Sequence, residues 1–140
     1  MFRRVNLGIL AIALVAFLAH ASPAAAQTST QKSSETTDKI KSYTVEKKND
    51  AVAYGKKLVS DLDVKIKELE AQVARDTGAA KADGERQLKE LKALRANAGK
   101  KLDELGRASA ESWDSVKHGF AEAYKDLAQA FDKATASLRK

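Results

Sequence analysis

The chain contains no cysteine among its 140 residues. Disulfide staples, thiolate metal sites and a lipid-modified cysteine anchor are therefore excluded, whatever the redox state of its compartment. Its single proline, Pro23, precedes the expected helical region, so no proline interrupts residues 38–140. Aromatic residues make up only 6%. That is too little for a broad core of mixed layers, whereas long helices that each bury one narrow stripe need fewer large side chains. Histidine is scarce too, at two residues, His20 and His118.

Catalytic constellations are missing with them. A lone His118 beyond the N-terminal region leaves no histidine pair, no cluster with metal-ligand spacing and no Gly-x-Ser-x-Gly elbow. Gly99-Lys100 lacks the upstream glycine of a phosphate-binding loop. The carboxylates are scattered along polar faces. The expectation is a protein without enzymatic activity, cofactor, metal or small-molecule substrate.

What is present begins at the N-terminus. Phe2-Arg3-Arg4 precedes an apolar run from Val5 to Ala19, broken only by Asn6 and Gly8, and then a small-residue segment ending Ala24-Ala25-Ala26. A basic start, an apolar core and a small-x-small site make a Sec-type signal peptide over residues 1–26, cleaved after Ala26. The run is shorter than the roughly 20 residues that a spanning helix needs. The expected location is the periplasm or the outside of the cell. With Arg3 and Arg4 removed, 23 basic residues face 19 acidic ones, a formal +4. An exported chain with this interspersed charge points away from nucleic acid and toward a solvated helical surface.

Residues 27–37, QTSTQKSSETT, are polar and Ser/Thr-rich and read as a disordered tether. Residues 38–140 read as an all-α coiled-coil domain. In its first helix, 38–77, Val45, Val52, Val59, Ile66 and Val73 recur every seven residues. Leu62 and Leu69 supply the companion seam positions, which earlier fall on Lys48 and Gly55. Residues 78–84, with Gly78 and Gly84, read as the turn of an antiparallel hairpin. The second helix, 85–138, shows a period of eleven: Leu91, Leu102, Trp113 and Tyr124; Leu94, Leu105, Val116, Leu127 and Leu138. Residues 110–120 (AESWDSVKHGF) and 121–131 (AEAYKDLAQAF) are tandem copies. Such a repeat keeps one face apolar along a long helix, so a single continuous second helix is favoured. The alternative is a break near Gly106–Ser109, with Gly106 as C-cap and Ser109 as N-cap, giving three helices.

The terminal segment from Leu105 to Phe131, with Trp113, Lys117, Gly119, Tyr124 and Phe131 at its marked positions, resembles the C-terminal signature of small bacterial coiled-coil stress-response proteins. The resemblance covers about residues 43–138 and implies a helical coiled coil with a stress-related role. Tyr124 stands at the family's second aromatic, Ala110 replaces its glycine, and the export signal departs from its usually leaderless members. Eleven-residue amphipathic repeats of this kind are also similar to those of apolipoproteins.

A first helix ending near residue 76 covers its antiparallel neighbour only to about residues 118–122. The expected binding face is therefore Trp113, Val116, Phe120, Tyr124, Leu127, Phe131 and Leu138, with the end beyond Phe120 projecting and in need of a partner. The candidate partners are a second copy of the chain, envelope proteins, a lipid surface, a client protein held as by a chaperone, or the same helix folded back. Because residues 110–140 carry equal numbers of acids and bases, a structural or interaction role in the envelope is preferred to lipid binding.

Overall fold

The computed structural model describes residues 21–138, with side-chain surroundings from Lys32 to Ser137. The start and apolar core of the expected signal peptide, and the side chain of Leu138, lie outside this range. Among the described residues the chain forms four α-helices and no strand: α1 Ala21–Ser42, α2 Lys48–Arg75, α3 Gly78–Arg107 and α4 Trp113–Leu138. A 3-10 turn, Val45–Lys47, leads into α2. Neighbours in space are α2 with α3, α3 with α4, and α4 with α1; α2 touches α4 more lightly.

The heptad of α2 is its buried face. Val59, Leu62, Ile66, Leu69 and Val73 are all buried, as are Ala51 and Gly55 further up the helix. α3 runs antiparallel to it. Near the turn Gly84 backs onto Val73, and further along Lys92 pairs with Glu70. Arg95 grips both carboxylate oxygens of Asp63, at 2.6 and 3.0 Å. Asp63 thus bridges two helices. This fork holds the Arg95 guanidinium even more firmly protonated than usual. Both partners are about one-third exposed, so the pair fixes register more than it adds stability.

The turn differs from the expected 78–84 loop. Only Asp76 and Thr77 are extended, and α3 begins at Gly78, whose φ of 62° suits glycine. The second long helix is also corrected. It is two helices: α3 stops at Arg107, Ala108 is extended, and the chain reverses through residues 108–112. Ser109 and Ser112 cap one another across this break, each backbone N–H donating to the other's hydroxyl at 3.0 and 3.2 Å. Such reciprocal capping satisfies donors that a new helix start leaves free. The Lys48 ammonium donates to the Ala108 carbonyl at 3.1 Å and ties the break to the start of α2.

α4 then returns antiparallel along α3, with Gln87 bonded to Ser137 at one end and Lys101 beside Gly119 at the other. Within each helix the buried residues follow a period of seven. Gly84, Leu91, Ala98 and Leu105 line α3, and Trp113, Phe120, Leu127 and Ala134 line α4. α4 packs closely because Gly55 offers no side chain. A Cβ there would stand 2.6 Å from Leu102 and 3.0 Å from the Phe120 ring. The residue that interrupts the sequence seam is therefore the notch that receives α4.

The last difference lies at the N-terminal side. Residues 27–37, expected to be a tether, belong to α1, and the helix expected from 38 is interrupted at Tyr43–Thr44. In a continuous helix, five residues from Ile40 to Val45 would turn the two side chains about 140° apart. The break lets Ile40 face α4 while the heptad from Val52 to Val73 faces α3.

Substituting Gly55→Val should lower the unfolding free energy by about 1–3 kcal/mol through overpacking. Gly106→Ala, where the nearest neighbour is 3.9 Å away, should be neutral or stabilising. Urea unfolding followed by circular dichroism measures both.

Candidate interaction site

The residues singled out as a binding face are brought together, but as core. Trp113 is 3% exposed, and Phe120 and Leu127 are wholly buried. Val116, Tyr124 and Phe131 are half-buried. Trp113 and Phe120 join Ile40, Val59, Leu102 and Leu105 in one cluster, with Val116 at its edge. Leu127 joins Leu62, Ile66, Leu69 and Leu91 in a second, with Phe131 at its edge, and Tyr124 touches both. The projecting aromatic end does not occur. Once the chain reverses at 108–112, α4 lies along α3, and what α3 leaves open is covered by α1.

That cover is the feature the sequence did not announce. α1 presents Ser33, Thr37 and Ile40 inward, all buried, at spacings of four and three that place them on one helical face. Two of the three are small hydroxyl residues. Thr37 returns its hydroxyl proton to the Ser33 carbonyl at 2.7 Å, a back-bond that suits a helix interior poorly. The Ser33 hydroxyl, in a residue 7% exposed, has no hydrogen-bond partner among the described residues. Beside it a recess of about 190 Å³ is lined by Ser33, Thr36, Leu62, Tyr124, Ala128 and Phe131, with Lys32, Lys65 and Asp132 at its edges. The available signal was Ile40, a lone large apolar residue in a polar stretch, seven and three residues beyond Ser33 and Thr37.

The end of α1 is latched more firmly. The Tyr43 carbonyl, just past the helix, accepts from the Trp113 indole N–H and from the Lys117 ammonium, both at 3.0 Å. Lys117 is 7% exposed, and its other partner is the exposed Asp114 carboxylate at 3.4 Å. On the outer side Lys41 pairs with Glu122 at 3.3 Å, and Lys39 sits over the Tyr54 ring at 4.3 Å.

Electrostatics around the recess follow from burial. The Asp132 carboxyl is held above its usual range by desolvation, against the pull of Lys65 and Lys32. The Tyr124 phenol is likewise raised, first by burial and then by Tyr54, Asp132 and Asp61 nearby. His118 lies on the surface, its Nδ1 2.9 Å from the Asp114 carbonyl. Among the described residues no three His, Cys, Asp or Glu side chains gather to hold a metal ion, and no helix is long and apolar enough to cross a membrane.

No family model, curated protein or solved structure matches this chain.

Phe120→Ala should cost about 3–5 kcal/mol, the scale for emptying a fully buried aromatic site, read by thermal or urea unfolding. For Tyr124 the folded state prefers the neutral phenol. Its contribution is complete below the unfolded value near pH 10 and is lost as pH rises through the higher folded value. Between about pH 9 and 11 the unaltered chain should therefore lose more stability than Tyr124→Phe. Parallel losses for both would contradict the assignment.

Proposed function

We propose that the chain is an exported, non-enzymatic helical interaction protein of the cell envelope, with a role related to stress. The observation that carries this reading is the cover on α4: its aromatic face is closed by a Ser/Thr-rich helix that contributes one large apolar side chain, Ile40. A helix held this lightly can leave, and the face beneath it then seeks a protein partner or a second copy of the chain. Export rests on the n-region, apolar core and small-residue site of residues 1–26. Cleavage after Ala26 leaves α1 to begin at Gln27.

The lipid-surface alternative draws on the same aromatic residues, but it requires α4 to leave α3 or α1 first. Interspersed acids and bases on α4 also give little attraction to an anionic leaflet.

The test begins with the chain recovered from cells by osmotic shock and sequenced from its N-terminus. Gln27 is the expected first residue; a chain confined to the cytosol with Met1 or Phe2 first would defeat the export reading. In-cell crosslinking followed by mass spectrometry should capture envelope proteins or a homo-oligomer. A chain that captures neither, and stays monomeric by light scattering at high concentration, would defeat the interaction reading.

A further inference from the structure

α1 shows what the groove between α4 and α2 accepts, and it fits that groove incompletely. A helix lies there antiparallel to α4, with three inward positions, 33, 37 and 40, in the i, i+4, i+7 pattern of helix-in-groove recognition. Only the last is filled by a large apolar group. Ser33, with Thr36 beside it, borders a recess of about 190 Å³ walled by Leu62, Tyr124, Ala128 and Phe131, and the buried Ser33 Oγ has no hydrogen-bond partner among the described residues. The rims are charged in a pattern that α1 also reads. Lys41, one residue beyond Ile40, meets Glu122, and Lys32, one residue before Ser33, stands near Asp132. Lys65 on α2 borders the recess beside Asp132, and on α4 Lys125 and Lys133 lie three and one residues beyond Glu122 and Asp132.

We propose that the groove beneath α1 is a docking site for an amphipathic helix of a partner protein. The occupant presents large apolar side chains at i, i+4 and i+7 and basic residues at i−1 and i+8, and α1 is the resident stand-in that it displaces. A leucine-sized group at the first position fills the recess and removes the unanswered hydroxyl, and one at the second puts apolar surface where α1 buries the Thr37 hydroxyl, so a matched helix outcompetes α1 despite the covalent link that keeps α1 close. Release of α1 pivots at Tyr43–Thr44, where the helix is already interrupted. The proposal rests on the interaction reading and deepens it. Association through another face would leave that reading intact while this groove stayed closed, so the two can fail separately.

The probe is a fluorescein-labelled peptide of residues 30–43 carrying Ser33→Leu and Thr37→Leu, titrated into the full chain and read by anisotropy. Saturable binding at least tenfold tighter than that of the unsubstituted peptide is expected, with faster amide exchange of residues 33–42 in the chain itself. The full chain carrying S33L and T37L should melt higher than the unaltered chain and bind no peptide. The proposal is overturned if the peptide does not saturate, if both peptides bind alike, or if exchange in α1 is unchanged. A lowered melting temperature of the double variant, or undiminished peptide binding to it, overturns it equally. Flotation with phosphatidylcholine vesicles in place of peptide binding would assign the groove to a lipid surface and overturn it as well.

Discussion

Phe120 has no exposed surface, and it owes its place to the one position on the inner face of α2 without a side chain. Gly55 lets the ring approach the α2 backbone while Leu102 of α3 closes from the other side. Three helices meet at that contact, and the rest of the arrangement depends on it. α4 must fold back beside α3 to bring Phe120 there, so the chain must reverse at residues 108–112. Once α4 is docked in that register, Trp113 falls under the end of α1 and can bond the Tyr43 carbonyl. A fully buried aromatic ring in a close-packed interior tolerates neither a cavity nor an added methyl group.

The helices are therefore unequal. α2, α3 and α4 interlock through continuous apolar faces, whereas the described side chains of α1, Lys32–Ser42, are held by Ile40, by two hydrogen bonds to the Tyr43 carbonyl just beyond and by surface charges. Burying one isoleucine contributes about 1.5–3 kcal/mol. Leaving the Ser33 hydroxyl unanswered costs about 1–3 kcal/mol. Exposed ion pairs such as Lys41–Glu122 add at most about 1 kcal/mol. These contributions are small beside the total stability of about 5–15 kcal/mol typical of a folded domain. Opening of α1 is thus the least costly departure from the closed state, and it uncovers the face that holds Tyr124 and Phe131.

Much of this is legible in the sequence. The seven-residue spacing of Val52, Val59, Ile66 and Val73 marks the buried side of α2, and Gly78 marks where α3 begins, although the rest of the expected 78–84 loop is helix. The eleven-residue series misleads about the second half. Over Leu91, Leu102, Trp113 and Tyr124, eleven is seven plus four, a step that keeps almost the same face in either scheme. The heptads that actually govern packing run Leu91–Ala98–Leu105 and Trp113–Phe120–Leu127. They are separated by eight residues between Leu105 and Trp113, a slip of one that marks the break. Ala98 and Ala134 are small enough to be passed over in an apolar count, so the heptads are less visible than the aromatic repeat.

The binding face is readable as a set of residues but not as a buried one. Trp113, Phe120, Tyr124, Leu127 and Phe131 do converge, because a repeat that stays in phase along one helix must place them on one side. Phe120 and Leu127 are buried against α2 and α3 once the chain reverses at 108–112, and α1 covers the rest of the face; nothing in the composition of QTSTQKSSETT indicates a helix, since Ser and Thr compete with the backbone for hydrogen bonds. Its ordering comes from tertiary contact at Ile40 and Tyr43, which local propensity does not contain.

α1 is, on these energetics, the least stable helix of a folded bundle, and native-state amide hydrogen exchange with residue resolution addresses this directly. The amides of α1 from Lys32 to Ser42 should exchange through an opening well below the global unfolding free energy. Those of α4 around Phe120 and Leu127 should exchange only on global unfolding. Exchange of α1 at the global value, in step with α4, would show that the cover is not separable and would contradict the account.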